Sequence, residues 1–130
     1  MKTFLLLLLF TNFHLFATTN GEPKAMNQTT EEIYLKFNTL ADQWAVHCQS
    51  VMFSSNINDY LSHPAYAQLV ALGKPAIPFI MQRYQADNLH WEFILDDITG
   101  FNWIKDRQSF SPKLLKAQWF KWWSEQSNYR

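Results

Sequence analysis

Glycine is scarce in this chain: three residues, Gly21, Gly73 and Gly100, among 130. A Gly-rich loop that cradles phosphate on backbone amides needs several close together, so a P-loop or a dinucleotide-binding turn is excluded. Cysteine is scarcer still. Cys48 stands alone, so no disulfide forms within the chain and the fold relies on packing. No CxxC or HExxH pattern occurs. The four histidines, His14, His47, His63 and His90, lack metal-ligand spacing, and neither a metal nor a cofactor is expected. Charge is also modest: 17% of residues, with a net value of zero. That removes the global attraction to nucleic acid or anionic lipid. No segment alternates apolar and polar residues long enough to read as a strand.

What the chain does have is aromatic bulk. Apolar residues make up 48% and aromatics 17%, including six Trp and eleven Phe, which is ample for one buried core and argues against disorder. A large apolar side chain contributes about 1.5–3 kcal/mol on burial. A domain's net stability is only about 5–15 kcal/mol. Trp44, Trp91, Trp119, Trp122 and Trp123 are therefore read as core, and Trp103, in a connection, as the tryptophan open to binding.

The first 25 residues admit two readings. Lys2 followed by the apolar run Phe4–Phe10 resembles the charged start and apolar centre of a signal peptide, though the cleavage region is poor. It is too short to span a membrane, so no transmembrane span is expected. Alternatively translation starts at Met26, with Gly21-Glu22 encodable as a purine-rich ribosome-binding run three codons upstream. The lone cysteine favours this second reading and a cytoplasmic protein; the first implies export. Residues 26–130 are expected to form a single domain.

Helical periodicity organises that domain. Thr29-Thr30-Glu31-Glu32 is a capping box. It precedes a stripe of Ile33, Phe37, Leu40, Ala41, Trp44, Cys48 and Val51, the spacing of one helix face. On that face Cys48 reads as a small buried hydrophobe. Ser54 to Asp59 reads as a loop. Ser62-His63-Pro64 opens a second helix, capped by Ser62 or His63, with Pro64 in its first turn. Gly73 ends it in the left-handed cap geometry. Pro75 opens a third helix, with Ile77, Ile80, Met81 and Tyr84 on one face. In "ALGKPAIPFI" the glycine stops one helix and the first proline starts the next, which forces a tight helical hairpin. Trp91, Ile94, Leu95 and Ile98 mark a fourth helix, stopped by Thr99-Gly100. Residues 101–110 form an aromatic connection whose Trp103 and Ile104 tuck onto the core. Ser111-Pro112 caps a last helix, which is expected to dock on the first or third and to leave Phe120 exposed. The fold class is all-α: a compact bundle of about five helices with no sheet.

The segment from Ala65 to Tyr84 followed by His90–Gly100 resembles a HEAT-type (armadillo-like) helical repeat, through Leu69, Leu72, Gly73, Ala76, Pro78 and Ile80, with Trp91, Leu95 and Ile98 opening the next helix. The combined pattern H-P-x-Y, G-x-P-A-x-P and W-x-x-x-L-x-x-I-T-G also resembles a family of small uncharacterised bacterial proteins. The first resemblance implies a helical hairpin suited to protein–protein contact. The second carries over no catalytic residue. With one repeat the chain cannot form a long superhelix.

Chemistry is sparse. From Gln85 to Gly100 there are four acids and no Lys or Arg, while residues 101–130 hold six bases and two acids. Glu92 and Asp96 are one helical turn apart, and Asp97 lies about 100° further round. Two carboxylates suit acid–base work or cation binding, but an acidic stretch is more often a solvated face. Lys105 or Arg107 is the basic partner within reach of it. Two functions follow. The first is a small non-enzymatic helical interaction module that binds another protein through Glu92, Asp96, Asp97, Trp103 and Arg107. The alternative is a small hydrolase or metal-assisted enzyme using Glu92, Asp96 and Asp97, with His90 in support. Oligomeric state is not encoded in any of these patterns.

Overall fold

The structure is a computed structural model that describes residues 28–127. The two readings of residues 1–25 lie outside the described residues. Six α-helices follow in order: α1 (Thr30–Ser50), α2 (Ile57–Leu61), α3 (Pro64–Leu72), α4 (Ile77–Ala86), α5 (Trp91–Thr99) and α6 (Pro112–Ser124), with a 3-10 turn at Lys74–Ala76. Among the described residues there is no strand. The all-α class and the compact packing are as the periodicity indicates.

α1 begins as its capping box dictates. The Thr29 hydroxyl accepts the Glu32 N–H at 3.0 Å, and the Glu32 carboxylate accepts the Thr29 N–H at 3.2 Å. Its stripe faces inward, with Phe37, Leu40, Ala41, Trp44 and Cys48 all buried. The loop expected from Ser54 to Asp59 is partly helical. Asn56 accepts the Asn58 N–H with its side chain and starts α2. Five residues are too few to show a period, and this turn is held from outside: the Trp44 indole donates to the Tyr60 carbonyl at 2.8 Å, and Ile57 is buried.

His63 is the cap of α3, its Nδ1 accepting the Ala65 N–H at 3.0 Å. Gly73 stops α3, but not in the left-handed cap geometry. Its φ of 75° comes with ψ of −162°, a combination essentially confined to glycine. Pro75 then lies in the 3-10 turn and Pro78 in the first turn of α4, where the missing N–H has no helical partner to lose. Ile77, Ile80, Met81 and Tyr84 are buried.

α3 lies centrally, packed chiefly on α1 and on α5, while α4 and α6 each pack on α5. The helices joined at Gly73 thus find their principal neighbours elsewhere. α6 packs chiefly on α5, a neighbour the periodicity does not predict, and also reaches α4, the expected third helix, through Phe120 and Lys116 on Tyr84. Phe120 is half-buried and stacks 5.5 Å from Tyr84 on α4, because the aromatic arc of α6 is wide enough to reach both neighbours.

Two aromatic clusters fill the interior. In one, Trp44 meets Trp91 edge-on at 5.1 Å, with Tyr66 and Phe37 alongside. In the other, Trp119 is enclosed by Phe101, Trp103 and Trp122. Trp44, Trp91 and Trp119 are fully buried, and Trp122 and Trp123 are half-buried against the core.

Candidate functional site: the carboxylates of α5 and the cavity behind His90

The three acids of α5 each meet a different part of the chain. Glu92 is 1% exposed. Its Oε1 accepts the Tyr84 hydroxyl at 2.9 Å, and its Oε2 lies 2.9 Å from His90 Nδ1. A carboxylate removed from water needs such donors, which assigns a proton to Nδ1 of His90. Burial and the adjacent Glu92 charge push the Tyr84 phenol well above the usual range.

Asp96 works on the backbone. Its two oxygens accept the Trp103 N–H at 2.8 Å and the Ile104 N–H at 3.2 Å. Those bonds fold the connection back over the C-terminal end of α5. Ile104 is driven into the core, and Trp103 is held 4.2 Å from the Trp119 ring. Asp97 is the outermost of the three. It accepts the Tyr66 hydroxyl, and Arg107 donates to it at 3.2 Å. Burial, then the Asp97 hydrogen bond and charge, push the Tyr66 phenol upward.

The expected acidic face is thus divided. Asp97 and Arg107 meet at the surface, and Arg107 is the internal basic partner. Glu92 is enclosed rather than solvated, Asp96 is turned toward the connection, and Trp103 is half-buried instead of freely exposed. Helical spacing places Glu92 and Asp96 on one side of α5. It does not show that Tyr84, on the neighbouring helix α4, turns Glu92 inward. The signal that could have found it is Phe93: with Trp91, Ile94 and Leu95 it makes α5 buried on most of its circumference, leaving no open side for Glu92.

Among the described residues, no group of three or more His, Cys, Asp and Glu is placed to hold a metal ion, and no helix is long and apolar enough to cross a membrane. Cys48 is buried and its thiol is pushed up to about 12, by burial first and the Asp87 charge second. Such a thiol is unreactive near neutrality.

His90 leads to a cavity that sequence reasoning missed. Its ring is packed edge-on against Tyr60, Phe93 and Phe110, at 5.0, 6.1 and 6.1 Å. Beside it is a space of about 180 Å³ lined by Ser54, Ser55, Ile57, Tyr60, His90, Arg107, Gln108 and Phe110. Its walls come from four regions: the turn before α2, α2 itself, the start of α5 and the 101–110 connection. A larger space of about 450 Å³ lies on the other side of Glu92, between α5 and α6, where Lys116 closes over the Tyr84 ring and bonds the Asp87 carbonyl.

No family model matches the chain, and no curated protein or solved structure matches it.

Proposed function

We propose that the protein is a small non-enzymatic helical module that binds another protein. The observation that carries this reading is Phe53, which is 93% exposed beside Met52 at 56%. These two side chains sit on the turn after α1 and contribute almost nothing to the core. An aromatic on the outside is the residue type that anchors protein interfaces. The following residues, Ser54 and Ser55, share a cavity with Arg107 and Gln108. The Phe53 turn and the Asp97–Arg107 pair therefore belong to neighbouring parts of the surface. Affinity capture from the native organism tests the reading. A specific partner should be retained by the wild type and lost by the double variant Met52→Ser, Phe53→Ser at unchanged melting temperature. A folded double variant that keeps every partner would overturn it.

One observation favours a hydrolase as the second reading. A buried carboxylate on Nδ1 and a free Nε2 is how an imidazole is oriented as a general base, and two serines line the same cavity as His90. Labelling with a serine-reactive fluorophosphonate, abolished in His90→Gln, would favour it. No labelling at high probe concentration would remove it.

A further inference from the structure

We propose that the cavity beside His90 binds a small neutral phenol, whose hydroxyl donates to His90 Nε2. The imidazole carries this assignment. Glu92, almost fully buried, accepts the Tyr84 hydroxyl on one oxygen and faces His90 Nδ1 with the other, both at 2.9 Å. With its proton on Nδ1, the neutral ring has a lone pair at Nε2 and is an acceptor there. That nitrogen has no hydrogen-bond partner among the described residues. It is not sealed in either, since the one enclosed side-chain nitrogen or oxygen without a partner belongs to Trp119. His90 lines the cavity and Glu92 does not, so the free edge of the ring is the one turned to the space. Glu92 also fixes the ring's orientation, and a fixed acceptor loses little freedom when a ligand arrives.

Charge selects the class of ligand. Arg107 on the wall disfavours a cation. Its guanidinium is already held by Asp97 at 3.2 Å and lies over the Phe93 ring. Glu92 and Asp97, directly on His90 and Arg107, disfavour an anion. A neutral donor meets neither repulsion. Two hydroxyls of the wall are engaged by the chain itself: Ser54 donates to Asp59, and Tyr60 to the carbonyls of Met52 and Ser54. Nε2 is left as the oriented acceptor for a ligand O–H.

Size and surface select an aromatic ring. Tyr60 and Phe110 both meet the His90 ring edge-on, at 79° and 78° between planes, and with Ile57 they form the apolar part of the wall. Aromatic rings pair well with such surfaces. A volume of about 180 Å³ is comparable to the roughly 150 Å³ apolar cavity that takes up benzene. Phenol is a benzene ring with one O–H. This site needs neither the Phe53 surface nor a reactive serine, so it holds or fails separately from partner capture and from fluorophosphonate labelling.

The test is an NMR titration of the full chain, labelled with nitrogen-15 in backbone and histidine rings, using phenol, toluene and benzoate. Phenol should give saturable shifts at the Ser55, His90 and Gln108 amides. It should also move the unprotonated His90 Nε2 resonance upfield, as an accepted hydrogen bond does. Toluene, similar in size and without a donor, should bind at least about threefold more weakly, the loss expected for one neutral hydrogen bond. The proposal is overturned by an absence of saturable shifts, by equal binding of toluene, or by amide shifts that saturate while His90 Nε2 stays in place. Benzoate binding more tightly than phenol would overturn the neutral-ligand assignment.

Discussion

The chain turns at two corners that are built in opposite ways. Between α3 and α4 the turn is made by backbone stereochemistry: Gly73 at φ 75° and ψ −162°, then Pro75 in a single 3-10 turn. Between α5 and α6 it is made by side chains. Residues 100–111 contain no helix of their own, and the segment is pinned by Asp96 on two backbone N–H groups and by Asp97 on Arg107. A corner of the first kind is specified by adjacent residues. One of the second kind exists only when a carboxylate seven or eight positions earlier is already on a formed helix. The first is a property of the chain and the second a property of the packing.

Removing single groups from each corner should separate these two modes. The largest effect is expected just behind the second corner. Glu92→Ala leaves the Tyr84 hydroxyl and His90 Nδ1 without an acceptor, and each group so stranded costs about 1–3 kcal/mol. Denaturant unfolding measures it, and Glu92→Gln should recover part of the loss by accepting from Tyr84. Asp96→Ala comes next, at about 2–3 kcal/mol, because two backbone donors lose a charged acceptor. Amide exchange should accelerate at Trp103 and Ile104 while the protons of α1 stay protected. Uniform acceleration would show that the second corner is not a separate unit.

Gly73→Ala is expected to cost about 1–3 kcal/mol through backbone strain alone, since an added Cβ would meet only Pro75 Cδ at 3.8 Å. Gly100, at φ 74° and ψ 15°, is in the ordinary left-handed region. Ala there costs about 1–2 kcal/mol, and Asn should restore most of it, as Asn102 tolerates φ 58° nearby. Asn at position 73 should restore nothing. A rescue there would mean that the first corner relaxes its ψ.

The smallest effect is on pH dependence. Cys48, Tyr66 and Tyr84 hold their protons more tightly when folded. Above about pH 9–10 the unfolded chain releases those protons while the folded chain keeps them, so stability falls as pH rises. For Cys48 the loss extends from 9.0 to about 12. Tyr66→Phe should flatten the alkaline slope, and an unchanged slope would mean that Tyr66 does not contribute.

The contrast between corners also explains what could be read in advance. α1, the cap at His63, the stop at Gly73 and the stripe of α4 are short-range patterns, and each is found where the spacing puts it. α2 escaped because five residues carry no period and its support comes from Trp44, sixteen residues earlier. The acids of α5 were visible as a group, but their separate roles depend on Tyr84, Tyr66 and the Trp103 amide, which periodicity does not connect to them. The Phe53 turn and the His90 cavity were unreadable for the same reason. Exposure and enclosure are decided by which helices meet.

Trp119 adds a consequence of a different kind. It is fully enclosed, and its indole nitrogen is the one buried side-chain N or O among the described residues with no hydrogen-bond partner, whereas Trp44 and Trp91 donate to Tyr60 and Asp87. An indole in such surroundings emits at the blue end of the tryptophan range and moves red once water reaches it. The second corner thus contains its own fluorophore. Lifting of α6 from α5 can be followed by light, without any label, in a protein whose other core tryptophans remain in place.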